Sequence, residues 1–155
     1  MREFERILLA YDGSERGRVA LRGAQPLLKL PKSEVHLLAV VPLASAVAAA
    51  EGFYTEAMYE AERDRVEQIL AEGVEILREL GVEARGHLRA GLPAQEIAEL
   101  AESLEIDLVV VGHQQRGPLT RWWQGSVSAS LLDRLTCAML VVQACDPALS
   151  EDGTP

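Results

Sequence analysis

Five short apolar runs, each followed by a stretch with helical spacing or a polar connection, constrain this chain more than any other feature. The runs are RILLAY (6–11), VHLLAVV (35–41), VEARGHLRA (82–90), DLVVV (107–111) and MLVVQ (139–143). Between them, apolar residues recur at three- and four-residue intervals, which aligns them on one face of a helix. Ala20, Ala24 and Leu27 follow Ser14, a good N-cap. Val66, Ile69, Leu70, Gly73, Leu77 and Leu80 form a longer stripe that stops at Gly81, where a left-handed cap costs little. Ile97, Leu100, Ala101 and Leu104 follow Pro93, which suits a first helical turn. Val127, Leu131, Leu132 and Leu135 mark a last helix before the fifth run. Alternating strands and helices imply a parallel sheet reached by right-handed crossovers, with helices on both faces. The expected fold is therefore a doubly wound α/β domain with a five-stranded parallel sheet.

Four of the runs are almost unbroken in apolar residues, as strands covered on both faces must be. The third is interrupted by Arg85, His87 and Arg89, which predicts an edge strand. A chain that winds outward through strands two and three and then returns past strand one gives the order 3-2-1-4-5. Ligands in such sheets sit where the winding reverses, here between strands one and four. The loops meeting at that point follow Asp12 and Gly112. Strand five is the opposite edge, yet it carries neither lysine nor proline to guard its open hydrogen-bonding side. The expectation is a homodimer paired along residues 139–143; the alternative cover is the tail from Ala144 folding back.

A length of 155 residues suits one domain, assigned to 1–145, with the polar segment 146–155 predicted to be a disordered tail. PLASAVAAAEGFYT, 42–55, is rich in small residues and predicts a flap beside the crevice. No apolar run approaches the roughly 20 residues of a membrane span, and the run at 7–11 is too short for a signal-peptide core, so a cytoplasmic location is expected. The net charge of −9 argues against nucleic acid, which needs a basic face. Cys137 and Cys145 have no C-x-x-C spacing and read as reduced thiols. No spacing of histidine, cysteine and carboxylate suggests a metal site.

VVVGHQQRGPLTRWWQGSVS, 109–128, runs from the end of strand four into a helix. Gly112, the polar loop and Gly125-Ser126 offer free backbone N–H groups and the positive end of a helix dipole, both suited to phosphate. A plain strand-to-helix turn explains the same residues, and the lysine of a Walker loop is missing. Of the adjacent Trp122 and Trp123, at least one is expected at the surface, against a partner or a neighbouring helix.

ILLAYDGS near the start, AGLPAQEIAELAESLEIDLVVVG in the middle, RGPLTRWWQGSVS and MLVV together resemble the universal stress protein family over about residues 6–143. The family's nucleotide loop is glycine, two residues, glycine, nine residues, then glycine with serine or threonine. Gly112 and Gly125-Ser126 match its outer positions, and Arg116-Gly117 resembles the arginine-glycine often found inside it. Gln115 occupies the place of the middle glycine. The resemblance implies a HUP-type fold like that of adenine nucleotide alpha hydrolases, and an ATP-binding homodimer that regulates other, unidentified proteins during stress. It implies Ala10, Tyr11 and Asp12 beside the adenosine, with Asp12 accepting a ribose hydroxyl, and Val40 facing adenine through its backbone. Gly112, Arg116, Gly117, Gly125, Ser126, Val127 and Ser128 would surround the phosphates, with Mg²⁺ arriving on the ATP. A second branch, similar to universal stress protein A, lacks the loop glycines and dimerises without nucleotide; Gln115 and GHQQ resemble that branch. For Asp12 and Ser126 the competing role is helix capping. Arg116 and Arg121 suit γ-phosphate charge, but no residue presents itself as the base a slow ATPase needs, so the chain is expected to bind and not to catalyse.

Overall fold

The computed structural model describes residues 4–42, 50–52, 55–113 and 131–143. The flap segment is described only in part, and the loop 114–130 and the tail from 144 lie outside the described residues. In chain order the elements are β1 (Arg6–Ala10), α1 (Glu15–Leu28), β2 (Glu34–Pro42), α2 (Glu56–Glu79), β3 (Ala84–Gly91), α3 (Pro93–Ser103), β4 (Leu108–His113) and β5 (Ala138–Gln143). Residues 131–134, ahead of β5, are helical. All strand pairs are parallel and the order is β3-β2-β1-β4-β5, as the sequence predicts.

Alternation along β1 divides the core. Ile7, Leu9 and Tyr11 face one side, where they pack with Leu37, Val110, Leu21, Ala24, Leu28 and Leu77 beneath α1 and α2. Leu8 faces the other side and packs with Leu38, Val109, Val111, Ile97 and Leu100 beneath α3. Burying each such side chain stabilises the fold by about 1.5–3 kcal/mol.

Local chemistry sets the helix ends. Ser14 Oγ accepts from Gly17 N at 3.0 Å and caps α1, whose last turn contains Pro26. A proline there removes one N–H from the ladder, and the helix stops two residues later. Ala20 and Ala24 are buried on α1 as predicted, but in the last turn Leu28 is buried whereas Leu27 packs only partly against the core. Leu21, Ala24 and Leu28 are spaced by three and four residues, and this stripe reaches deeper than the one through Ala20 and Leu27. Thr55 caps α2 through Met58 N, and Gly81 at φ +83° terminates it. The stripe on α2 stands as predicted, with Val66, Gly73 and Leu77 buried.

Gly73 lets α2 press against the sheet. A Cβ there would lie 2.6 Å from Leu37 Cδ2 and 2.7 Å from Tyr11 Cδ1. Alanine would gain about 1 kcal/mol in helix propensity but force α2 outward. Overpacking of this kind costs roughly 1–3 kcal/mol, so Gly73→Ala is expected to lower the urea midpoint; an unchanged or raised midpoint refutes the close contact.

Candidate functional site

The reversal of winding places two strand ends side by side. Ala10 is paired with Val111 on β4 and with Leu38 on β2. Tyr11 N donates to Leu38 O at 2.9 Å, carrying the ladder one residue past β1, after which Asp12 leaves the sheet. Gly112 is buried on β4, one step beyond Val111. Val40 and Ala10 are half-buried on the α3 face of the sheet. Ala10, Asp12, Val40 and Gly112 thus all lie at or near the carboxyl ends of three adjacent strands. Arg116, Gly117, Gly125, Ser126, Val127 and Ser128 lie outside the described residues, as do Gln115, Trp122 and Trp123.

Asp12 is held from below. Its Oδ1 accepts from Ser14 N at 3.0 Å and from Ser14 Oγ at 2.6 Å, a side-chain turn that aspartate forms readily. The helix cap is therefore Ser14, and Asp12 orients the capping hydroxyl. Oδ2 of Asp12 has no partner among the described residues. Gly13, at φ +79°, supplies the left-handed bend that turns the chain from β1 into this arrangement. Gly17 closes it: a Cβ there would stand 2.9 Å from Asp12 Oδ1. Ser14 and Gly17 are functional neighbours that sequence reasoning did not assign, although D-G-S followed by a glycine three residues on carries the signal.

Tyr11 behaves differently from its neighbours. Its ring points into the α1/α2 core and is 3% exposed, so only its backbone reaches the crevice. The phenol donates to Glu72 Oε1 at 3.3 Å, and Arg18 Nε donates to the same oxygen at 2.6 Å. Arg18 also reaches Glu15 Oε2 at 3.0 Å. The Arg18 hydrogen bond holds the Glu72 carboxyl below the usual carboxylate range. Burial, reinforced by Glu72, pushes the Tyr11 phenol up to about 12. These contacts tie β1, α1 and α2 together beside a hollow of about 400 Å³ lined by Asp12, Ser14, Arg18, Gln68 and Glu72. Chemically, the crevice offers Asp12 Oδ2, unpartnered among the described residues, to accept from a hydroxyl, with half-buried apolar side chains at Ala10 and Val40 nearby.

A family model described as the universal stress protein family matches residues 3–143. A universal stress protein of Bacillus subtilis, YxiE, is 32% identical over 148 residues, covering 90% of this chain and 99% of its own. One from Methanocaldococcus jannaschii is 30% identical over 141 residues, covering 90% and 82%. Among solved structures, a universal stress protein in complex with cAMP superposes with a TM-score of 0.65 at 19% identity, covering 92% of this chain and 98% of its own. The universal stress protein from Archaeoglobus fulgidus in complex with dAMP gives 0.64 at 22% identity, covering 90% and 98%.

The Tyr11 environment makes an alkaline prediction. A phenol raised from its ordinary value near 10 to about 12 stabilises the fold fully below pH 10 and loses that contribution as pH rises toward 12. Absorbance titration at about 295 nm should show one of the tyrosines ionising near pH 12, with unfolding, and Tyr11→Phe should remove that step. A spectrum in which every tyrosine titrates near 10 rejects the buried pair.

Proposed function

The chain belongs to the universal stress protein family, and from that premise we propose that it is an adenine-nucleotide-binding homodimer that acts by regulated contact and not by catalysis. The observation that carries this reading is the Asp12 carboxylate, pinned by Ser14 through one oxygen and open through the other, at the point where the strand order reverses. In the proposed complex Asp12 Oδ2 accepts a ribose hydroxyl, and adenine lies against Ala10 and Val40. The phosphates run past Gly112 toward Arg116, Gly117, Gly125, Ser126, Val127 and Ser128, with Mg²⁺ on ATP. The two relatives solved with cAMP and dAMP support the ligand class. The second copy pairs along β5, whose Met139, Leu140, Val141 and Val142 are only half-buried in the single chain.

Gln115 favours a second reading, a dimer of the universal stress protein A type that carries no nucleotide. If the loop needs a left-handed backbone at that place, a side chain costs about 1–2 kcal/mol, which weakens binding without abolishing it.

Calorimetric titration with ATP and mass spectrometry of ligand released from fresh protein test the choice. Binding is expected, and Asp12→Ala should weaken it about 10–100-fold, the worth of a hydrogen bond to a charged acceptor. Gln115→Gly should tighten it about 5–30-fold. No adenine nucleotide in the extract and no heat with millimolar ATP defeat the first reading, and a dimer that persists in that case supports the second.

A further inference from the structure

The most unusual buried group lies away from the crevice, on the outer half of the sheet. His36 on β2 is 2% exposed, alone among the polar and charged residues of the buried set described. Its Nδ1 lies 2.9 Å from Nε2 of His87 on β3, with ring centroids 5.1 Å apart. Register explains the meeting. His36 is paired with Arg85 and Leu38 with His87, so the two histidines are diagonal neighbours on one face. That is the face covered by α3, which meets it through Ala94, Ile97, Leu100 and Ala101, none of them titratable. α2 packs on the opposite face, with Leu70 against Gly86.

An N–H···N bond requires one ring to donate and the other to accept, so both inward-facing nitrogens cannot carry protons. Two imidazolium rings at this distance would lose the bond and repel each other. The surrounding charges add to this. Arg85 and Arg6 act on His36, and Arg89 and Arg85 act on His87, with Glu34 the one carboxylate opposing them. Glu34 Oε1 lies 3.4 Å from His36 Nε2 but also receives Arg85 at 3.1 Å, so its charge is shared. Burial is the largest influence on each ring, and both sit below the ordinary histidine value.

We propose that His36 and His87 form an acid-sensitive latch on the edge strand: in mild acid β3 separates from β2 while β1 and β4 stay closed. β3 is suited to this because among the described residues it pairs on one side only and carries Arg85, Gly86 and Arg89 exposed. The latch is independent of whether the crevice takes a nucleotide. The sign follows from linkage. The closed strand binds fewer protons than the open one, so stability is full above the open-state value, about 6.5, and falls as pH drops below it. The closed pair accepts one proton, because an imidazolium still donates to a neutral ring, and excludes the second; that one proton, taken up on opening, raises the open population about tenfold between about pH 7.5 and 5.5.

Amide hydrogen exchange of the intact protein tests this, with intrinsic rates corrected at each pH. Protection of the β3 amides should fall about tenfold across that range while β1 protection changes little. In His87→Gln no second ring opposes the charging of His36, and the loss should shrink to within about twofold. Ring-nitrogen chemical shifts of the wild-type protein, which need no variant, should show no more than one charged ring of the pair in the folded protein at pH 5.5. Protection of β3 that tracks β1 within about twofold, an unchanged dependence in His87→Gln, or two charged rings in the folded protein at pH 5.5 each overturns the proposal.

Discussion

Strand β1 is hydrogen-bonded on both sides, to β2 and to β4, while the chain leaving it crosses one face and the chain arriving at β4 crosses the other. Right-handed crossovers compel this arrangement: α1 must lie on one face to deliver the chain to β2, and α3 on the opposite face to bring it back past β1. The helix that leaves β1 and the helix that leads into β4 therefore diverge to opposite faces, with the carboxyl ends of the two strands side by side. Everything the site offers depends on that divergence. Asp12 presents an oxygen that has no partner among the described residues because the helix it introduces departs to one face, and Gly112 continues β4 one step beyond the pairing of Ala10 with Val111.

The base of the crevice is stiffened by contacts that share few atoms with a ligand. Ser14 uses its hydroxyl twice, donating to Asp12 and accepting from Gly17, so the aspartate's conformation and the start of α1 are one structure. One residue earlier, Tyr11 drives its ring into the core and fastens β1 to α2 through Glu72, which Arg18 fixes from α1. The exposed Arg18–Glu15 contact adds little energy by itself, since solvent screens such pairs. Its use is geometric, because it holds the guanidinium where it can complete the buried side of the network. A carboxylate positioned this way loses less side-chain entropy when a hydroxyl arrives.

Most of the fold was legible because it follows from local patterning. Unbroken apolar runs marked β1, β2, β4 and β5, and the charges in RGHLR marked β3 as an edge. The last turn of α1 was less legible. Leu27 and Leu28 are equally apolar, and only the packing of the whole helix decides which one turns inward. Asp12 was legible as a candidate, but its division of labour with Ser14 depends on the bend at Gly13, which no hydrophobic pattern reveals. The histidine pair was not legible at all. His36 and His87 are 51 residues apart, and their meeting depends on the β2–β3 register, set by the side chains flanking them.

The two edges of the sheet differ in a way that bears on assembly. β3 carries outward arginines and a glycine, features that discourage another strand from pairing there. β5 carries Met139, Leu140, Val141 and Val142, split between the two core clusters and half-buried in each. An apolar strand whose hydrogen-bonding edge has no partner among the described residues and whose side chains are only partly covered gains more from an added surface than a charged one does. The same asymmetry explains why an opening motion belongs to β3. Its attachment rests on the ladder to β2, on α2, whose Leu70 lies against Gly86 and whose Val66 shares an apolar cluster with Leu88, and on the contact of His36 with His87, which a change of protonation can reverse.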